Sequence, residues 1–163
     1  MSITKQCDST KWKFISMLDW QGKIKVKALD ANGKVVQEDI INNTITSAGK
    51  NLLAKALRES TDCEIKFIAI GSDSTAASTA DTQLGTETFR KAVTSQIAGG
   101  TGVTVTNLYV APEEAVGTIA EIGFFSGTAS ATTNSGTLYA RVLYSRTKTA
   151  VESIQIERTD TIG

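Results

Sequence analysis

Glu121 is the residue with the most conspicuous setting in this chain. It stands in the run TIAEIGFF, which is otherwise almost wholly apolar. A carboxylate in such a strand either lies on a wet face or is buried with a partner. Arg90 and Arg141, both on strand candidates, are the side chains able to supply one. A buried carboxylate of this kind is where acid–base chemistry is looked for first. The remaining acidic candidates are Asp73 and Asp81 in one loop, and Glu113 with Glu114 after Pro112. Neither pair has the spacing of a calcium loop, and both read as solvated loop charges. The chain has no histidine, which removes Ser-His-Asp and Cys-His arrangements and most zinc sites at once. IGSDST, residues 70–75, lacks the second glycine of a nucleophile elbow, and GGTG, residues 99–102, lacks the lysine and following helix of a phosphate loop. The sequence therefore predicts no enzyme: no catalytic residue, no cofactor and no metal site.

Composition points the same way. Lys and Arg number 17, as do Asp and Glu, so the formal net charge is zero. A neutral chain has no electrostatic footprint for nucleic acid, and it favours association. With 163 residues and 40% hydrophobic content, one domain with a real core is expected. No apolar run of membrane-spanning length is seen, and MSITKQCDSTKWKF lacks the apolar stretch of a secretory signal. Two cysteines, Cys7 and Cys63, fit a reduced product of a cytoplasm; a disulfide between them is the alternative.

The elements that must position these residues are mostly strands. Lys23, Lys25 and Lys27 alternate with Ile24, Val26 and Ala28, a period of two with one wet face. Asp30-Ala31-Asn32-Gly33 is a turn leading into a second strand, residues 34–41. The period then changes. Leu52, Leu53, Ala56 and Leu57 recur at helical spacing, and Thr46 or Ser47 can cap the start, which predicts one α-helix over residues 47–59. EIKFIAIG, residues 64–71, reads as a buried strand. ETFRKAVTSQIA, TVTNLYVA, GTIAEIGFF, GTLYARVLYSR and VESIQIERTDTI read as five more, with a hairpin turn at Gly99–Gly102. Residues 71–81 and 126–136 read as small-residue loops with exposed tips. The last two strands are expected to pair as a hairpin around residues 147–150, with Ile154 and Ile156 facing the core. The fold class is mainly β: an antiparallel β-sandwich or partly open barrel with one helix.

Residues 1–22 stand apart as an N-terminal arm, with residues 23–163 forming a single β-rich domain. The arm holds both tryptophans of the chain. Trp12, Phe14, Met17, Leu18 and Trp20 are too many large apolar groups to leave in water. They either pack on the arm's own sandwich or bind a neighbouring subunit, where tryptophan is a frequent anchor and Lys11 and Lys13 would add rim contacts. On the second reading the arm attaches the domain to a larger particle, and these five are partner-binding residues.

Several short motifs, in order, carry a resemblance. NNTITSAGKNLLAKAL, then IKFIAIGSDST and ADTQLGTETFRKAV, then AEIGFFSG, then GTLYARVLYSRTKTAVESIQIERTDTIG resemble a broad group of tailed-bacteriophage structural proteins: tail fibre, baseplate or minor virion proteins. The resemblance covers about residues 40–163. It departs in IAIGSDS, where the group more often has IALGTGT, and in the tryptophan-bearing arm. What it implies is a non-enzymatic virion component made in the bacterial host cytoplasm. Such a component acts by protein–protein assembly in the tail, baseplate, neck or fibre base, as a homo-oligomer with a trimer favoured. Other virion proteins are its partners, with no nucleic acid and no membrane. The alternatives are a capsid decoration or cement protein, and a host-surface receptor or sugar-binding module. Sugar binding wants aromatic platforms, and the two small-residue loops hold none.

Overall fold

The computed structural model describes residues 19–163. Ten strands and one helix follow in the order β1 (Trp20–Leu29), β2 (Val35–Asn42), β3 (Thr44–Ile45), α1 (Ser47–Glu59), β4 (Phe67–Gly71), β5 (Glu87–Ala92), β6 (Ser95–Gly100), β7 (Val103–Val110), β8 (Gly117–Ser126), β9 (Thr137–Lys148) and β10 (Ser153–Ile162). They form two five-stranded sheets, ordered β2-β1-β10-β7-β6 and β3-β9-β8-β4-β5. Every pairing is antiparallel. The architecture is a β-sandwich, as the strand patterns predict.

The alternation of β1 does what its period requires. Ile24, Val26 and Ala28 are fully buried, while Lys25 pairs with Glu157 at 3.0 Å and Lys27 with Glu38 at 3.4 Å on the wet side. These pairs are direct cross-strand neighbours, the arrangement that supports a sheet by side-chain contact. Ile24, Val26, Leu108, Val110, Ile154 and Ile156 from the first sheet meet Ile68, Ile70, Ile122, Phe124 and Val142 from the second in one core.

The second sheet is buried on its outer face as well. Ala69, Leu84, Phe125 and Leu138 form a separate cluster. Leu84 belongs to the segment between β4 and β5, residues 72–86, so this segment is draped over the sheet and is not a free tip. In the segment 127–136, residues 130–134 are exposed as expected, but Ala129 touches the same cluster.

Two connections differ from expectation. ETFRKAVTSQIA is two strands. The backbone N–H of Val93 donates at 3.0 Å to Lys66, just before β4 of the second sheet, and that of Thr94 donates to Asn107 in the first at 2.7 Å, so the chain changes sheets between them. The closing segment likewise is no hairpin: β9 pairs with β8 and β3, while β10 pairs with β1 and β7. The reason lies in the arch that joins them. Arg146 grips Glu152 with two bonds, at 3.2 and 2.6 Å. The Thr149 N–H donates to Glu152 at 3.0 Å, and the Lys148 ammonium donates to the Pro112 carbonyl at 2.7 Å. These contacts turn the chain from one sheet to the other, and β10 then inserts at the centre of the first sheet. Ile154 and Ile156 do face the core.

The helix occupies the span its periodicity predicts. Thr46 caps it by accepting the Gly49 N–H at 2.9 Å, and Ser60 ends it in a left-handed conformation at φ 51°. Gly49 is its one buried residue, pressed on the backbone of Tyr139 in β9. Glycine inside a helix ordinarily costs up to ~1 kcal/mol against alanine. Here a Cβ would run into the Tyr139 carbonyl oxygen, so the sign reverses: Gly49→Ala is expected to lower the melting temperature, whereas the same change on an exposed helix face would raise it. A second prediction concerns acid. The Arg146 bonds, then the Thr149 N–H, hold the Glu152 carboxyl below its ordinary value of 4.5. A depressed folded pKa gives stability that is present above the unfolded value and is lost as pH falls through the folded one. Thermal melts from pH 7 to pH 2 should fall steadily below about pH 4.5, and Glu152→Gln should flatten that fall while lowering the plateau.

Candidate functional site

The strand pleat of β8 decides where Glu121 points. Ile122 and Phe124 face the shared core, so Glu121, Gly123 and Phe125 face the outer side of the second sheet, beneath segment 72–86. Arg141 of β9 lies opposite Gly123 in register. Glycine leaves the room for Leu84 and Leu138 to close over the sheet there, because a Cβ at residue 123 would crowd both.

Glu121 is fully buried and Arg141 nearly so, and the Arg141 Nε donates to Glu121 Oε2 at 2.7 Å. Three backbone N–H groups of the draped segment also point at this carboxylate: Thr86 at 2.9 Å, Gly85 at 3.1 Å and Asp73 at 3.4 Å. Arg141 reaches outward with its other nitrogens, Nη1 to Asp81 at 3.0 Å and Nη2 within 3.6 Å of Asp73. Burial works against the charge of Arg141, but the bonds to Glu121 and Asp81 outweigh it and hold its pKa above the ordinary value. Asp73 is held below the usual carboxylate range, first by the Thr75 N–H and hydroxyl and then by Arg141. Asp73 and Asp81 are thus partners of a buried arginine, which corrects their reading as simple solvated charges. Arg90, the other arginine weighed for Glu121, goes elsewhere. It forks onto Glu87 at 2.7 and 2.8 Å and stacks 4.0 Å above the Phe125 ring. It also donates to the Ser135 carbonyl at 3.0 Å, which holds segment 127–136 against the sheet.

Chemically, Glu121 is a saturated acceptor. Both oxygens take charged or backbone donors, an arrangement that fixes whatever supplies the donors. The cluster is a clamp for residues 72–86. Among the described residues, no group of His, Cys, Asp and Glu is arranged to hold a metal ion.

A further buried ion pair, which the sequence reading missed, lies on the core side of the second sheet. Arg158 is fully buried and donates to Asp160 at 2.7 Å through Nε. Its guanidinium sits 4.8 Å from the Phe124 ring and 5.1 Å from that of Tyr139. Asp160 also accepts from the Trp20 indole N–H at 2.9 Å. The Asn43 amide bridges Gly22 and Arg158 when its oxygen faces the guanidinium. The signal was in the pleat: residues 158 and 160 share the parity of Ile154 and Ile156, so the core face of β10 had to carry them.

Of the five predicted partner-binding residues, Trp20 opens β1 and packs edge-on against Tyr139 of its own chain, with ring centroids 4.7 Å apart. Residues 20–22 accordingly belong to the sandwich and not to an arm. Trp12, Phe14, Met17 and Leu18, with Lys11, Lys13 and Cys7, lie outside the described residues. Cys63 is half-buried.

Removing one member of a buried pair strands the other, at a cost of roughly 3–5 kcal/mol, whereas replacing both with apolar groups costs far less. Glu121→Ala should therefore destabilise by about that amount in denaturant titrations and open residues 72–86 to protease. The double variant Glu121→Leu with Arg141→Met should recover most of the stability, yet leave the segment protease-sensitive, since its N–H groups still lack their acceptor.

No protein-family model matches this chain, and neither does any curated protein or solved structure.

Proposed function

We propose that this chain is a non-enzymatic structural protein of a bacteriophage particle, in the tail, baseplate, neck or fibre base, acting by protein–protein assembly. The observation that carries the reading is where the residues of the phage-like motifs fall. Thr46 and Gly49 of TSAG seat the helix on β9. Gly85 of the LGTETFR motif donates to Glu121 of AEIGFF, which pairs with Arg141 of TLYAR. Leu84 packs with Leu138 of the same TLYAR stretch. Glu87 and Arg90 of LGTETFR pair with each other. Each motif is thus a joint of the fold, and its polar groups are engaged with one another. That suits a rigid building block, whose task is to hold shape while its surface makes contacts.

The surface supplies contacts at the sheet edges. β2 and β6 are the two edges of the first sheet, and they expose Val36, Ile40 and Ile97. Apolar edge strands are templates for pairing with another chain. Two different edges on one sheet permit a head-to-tail ring, of which a trimer is the simplest closed form after a dimer. On this reading the protein is made in the host cytoplasm and resides in the virion beside other virion proteins.

The purified protein is expected to scatter light as a homo-oligomer, most simply a trimer, and Ile40→Lys and Ile97→Lys should each shift it towards monomer. It should release no product from polysaccharide or peptidoglycan. A chain that stays monomeric at high concentration, or one that turns over either polymer, would refute the reading.

A further inference from the structure

Among the described residues, nothing covers the apolar flank of the helix. Leu57 is 86% exposed, the most exposed large apolar residue described. With Leu53 and Ala54 it forms one wall of a groove whose other wall is Trp20 and Ile162, enclosing about 570 Å³. That is within the size range of sites that bury a ligand. Leucines at i and i+4 make a continuous apolar strip on a helix, and a strip left in water normally marks a contact surface.

The chain itself indicates what covers it. The Asp19 N–H donates to the Gly163 carbonyl at 2.7 Å, and the Gly163 N–H donates back to the Asp19 carbonyl at 3.1 Å. These two bonds pin residue 19 beside the end of β10, on the rim of the groove, since Asp19 is itself one of its lining residues. The described chain therefore begins at the groove's edge. The two residues preceding Asp19 are Met17 and Leu18, with Phe14 and Trp12 shortly before. A segment tethered one residue from an apolar groove reaches it at a high effective concentration, well ahead of a partner that must diffuse there. Methionine adapts to an irregular wall better than branched residues do.

We infer that the groove between α1 and the β1–β10 end is the docking site of the chain's own N-terminal segment, with Met17 and Leu18 seated against Leu53 and Leu57. The segment is then a clasp of its own subunit, which chooses between the two readings open to the arm. This inference does not depend on a virion role.

The test is a cysteine pair. In a Cys7→Ser, Cys63→Ser background, Met17→Cys is combined with Ala54→Cys, which changes an exposed helix position, and the protein is oxidised mildly at low concentration. A disulfide within one chain, running as monomer on a non-reducing gel, is the expected result. A disulfide between chains would give the groove to a second copy's segment, and the absence of any disulfide would leave it to some other occupant; either overturns the inference. Trypsin provides an independent readout in the otherwise unaltered chain, through cleavage after Lys11 and Lys13. Leu57→Asp should speed that cleavage about tenfold or more, because cleavage follows the population of the undocked segment. Equal rates in the two proteins would count against docking.

Discussion

The ion pair between Glu121 and Arg141 is the constraint from which most of the second sheet's architecture follows. A carboxylate and a guanidinium cannot be taken out of water singly, so each must find the other and both must fill their remaining bonding positions. The pair lies on the outer face of a sheet that would otherwise meet solvent. The pair draws in three N–H groups and two aspartates from residues 72–86, with Arg141 Nη2 facing Asp73 at 3.6 Å without a hydrogen bond, and the segment that brings them also brings Leu84. The apolar cluster of Ala69, Leu84, Phe125 and Leu138 and the charged cluster beside it are thus one device. The apolar side chains exclude water, which strengthens the charged bonds, and the charged bonds hold the segment that excludes the water.

The same logic recurs on the core side of that sheet. Arg158 faces the shared core, between Phe124 and Tyr139, and its charge is met by Asp160 and the Asn43 amide. Aromatic faces accept a guanidinium that lacks room for water. Trp20 closes this site from the side through its bond to Asp160. The first strand of the sandwich and the last are therefore joined by a polar network as well as by their ladder, and both ends of the described chain are tied down there.

These joints bear on function through rigidity. On the proposed assembly role, a subunit used in repeated contacts needs edges and grooves that keep their positions, and buried charged networks hold them at some cost in stability. The long loops are clamped at several points each, the sheet-to-sheet arch is gripped by Arg146 and Glu152, and the exposed surface includes apolar residues at the sheet edges and in the groove. An assembly role uses those features directly.

The amino-acid sequence by itself determined the local elements. The period-two pattern of residues 23–28, the Asn-Gly turn after it and the helical spacing of Leu52, Leu53, Ala56 and Leu57 each depend on neighbours a few residues away, so they could be read without a fold. It also exposed Glu121 as a charge needing a partner and named Arg141 as one of two. Which arginine took it was a tertiary decision, since residues 90 and 141 are equally basic and only the register of β8 on β9 puts one of them opposite Gly123. The pairing of the last two strands was decided in the same way. Residues 147–150 offer a turn in either case, but Arg146 and Glu152 close it as an arch, and β10 gains two ladder partners in the first sheet where a hairpin alone would have given it one. The exposure of Leu57 belongs here too. A helical stripe shows that one face is apolar, but what lies against it depends on where the helix is docked, and its one fully buried residue, Gly49, lies in the first turn.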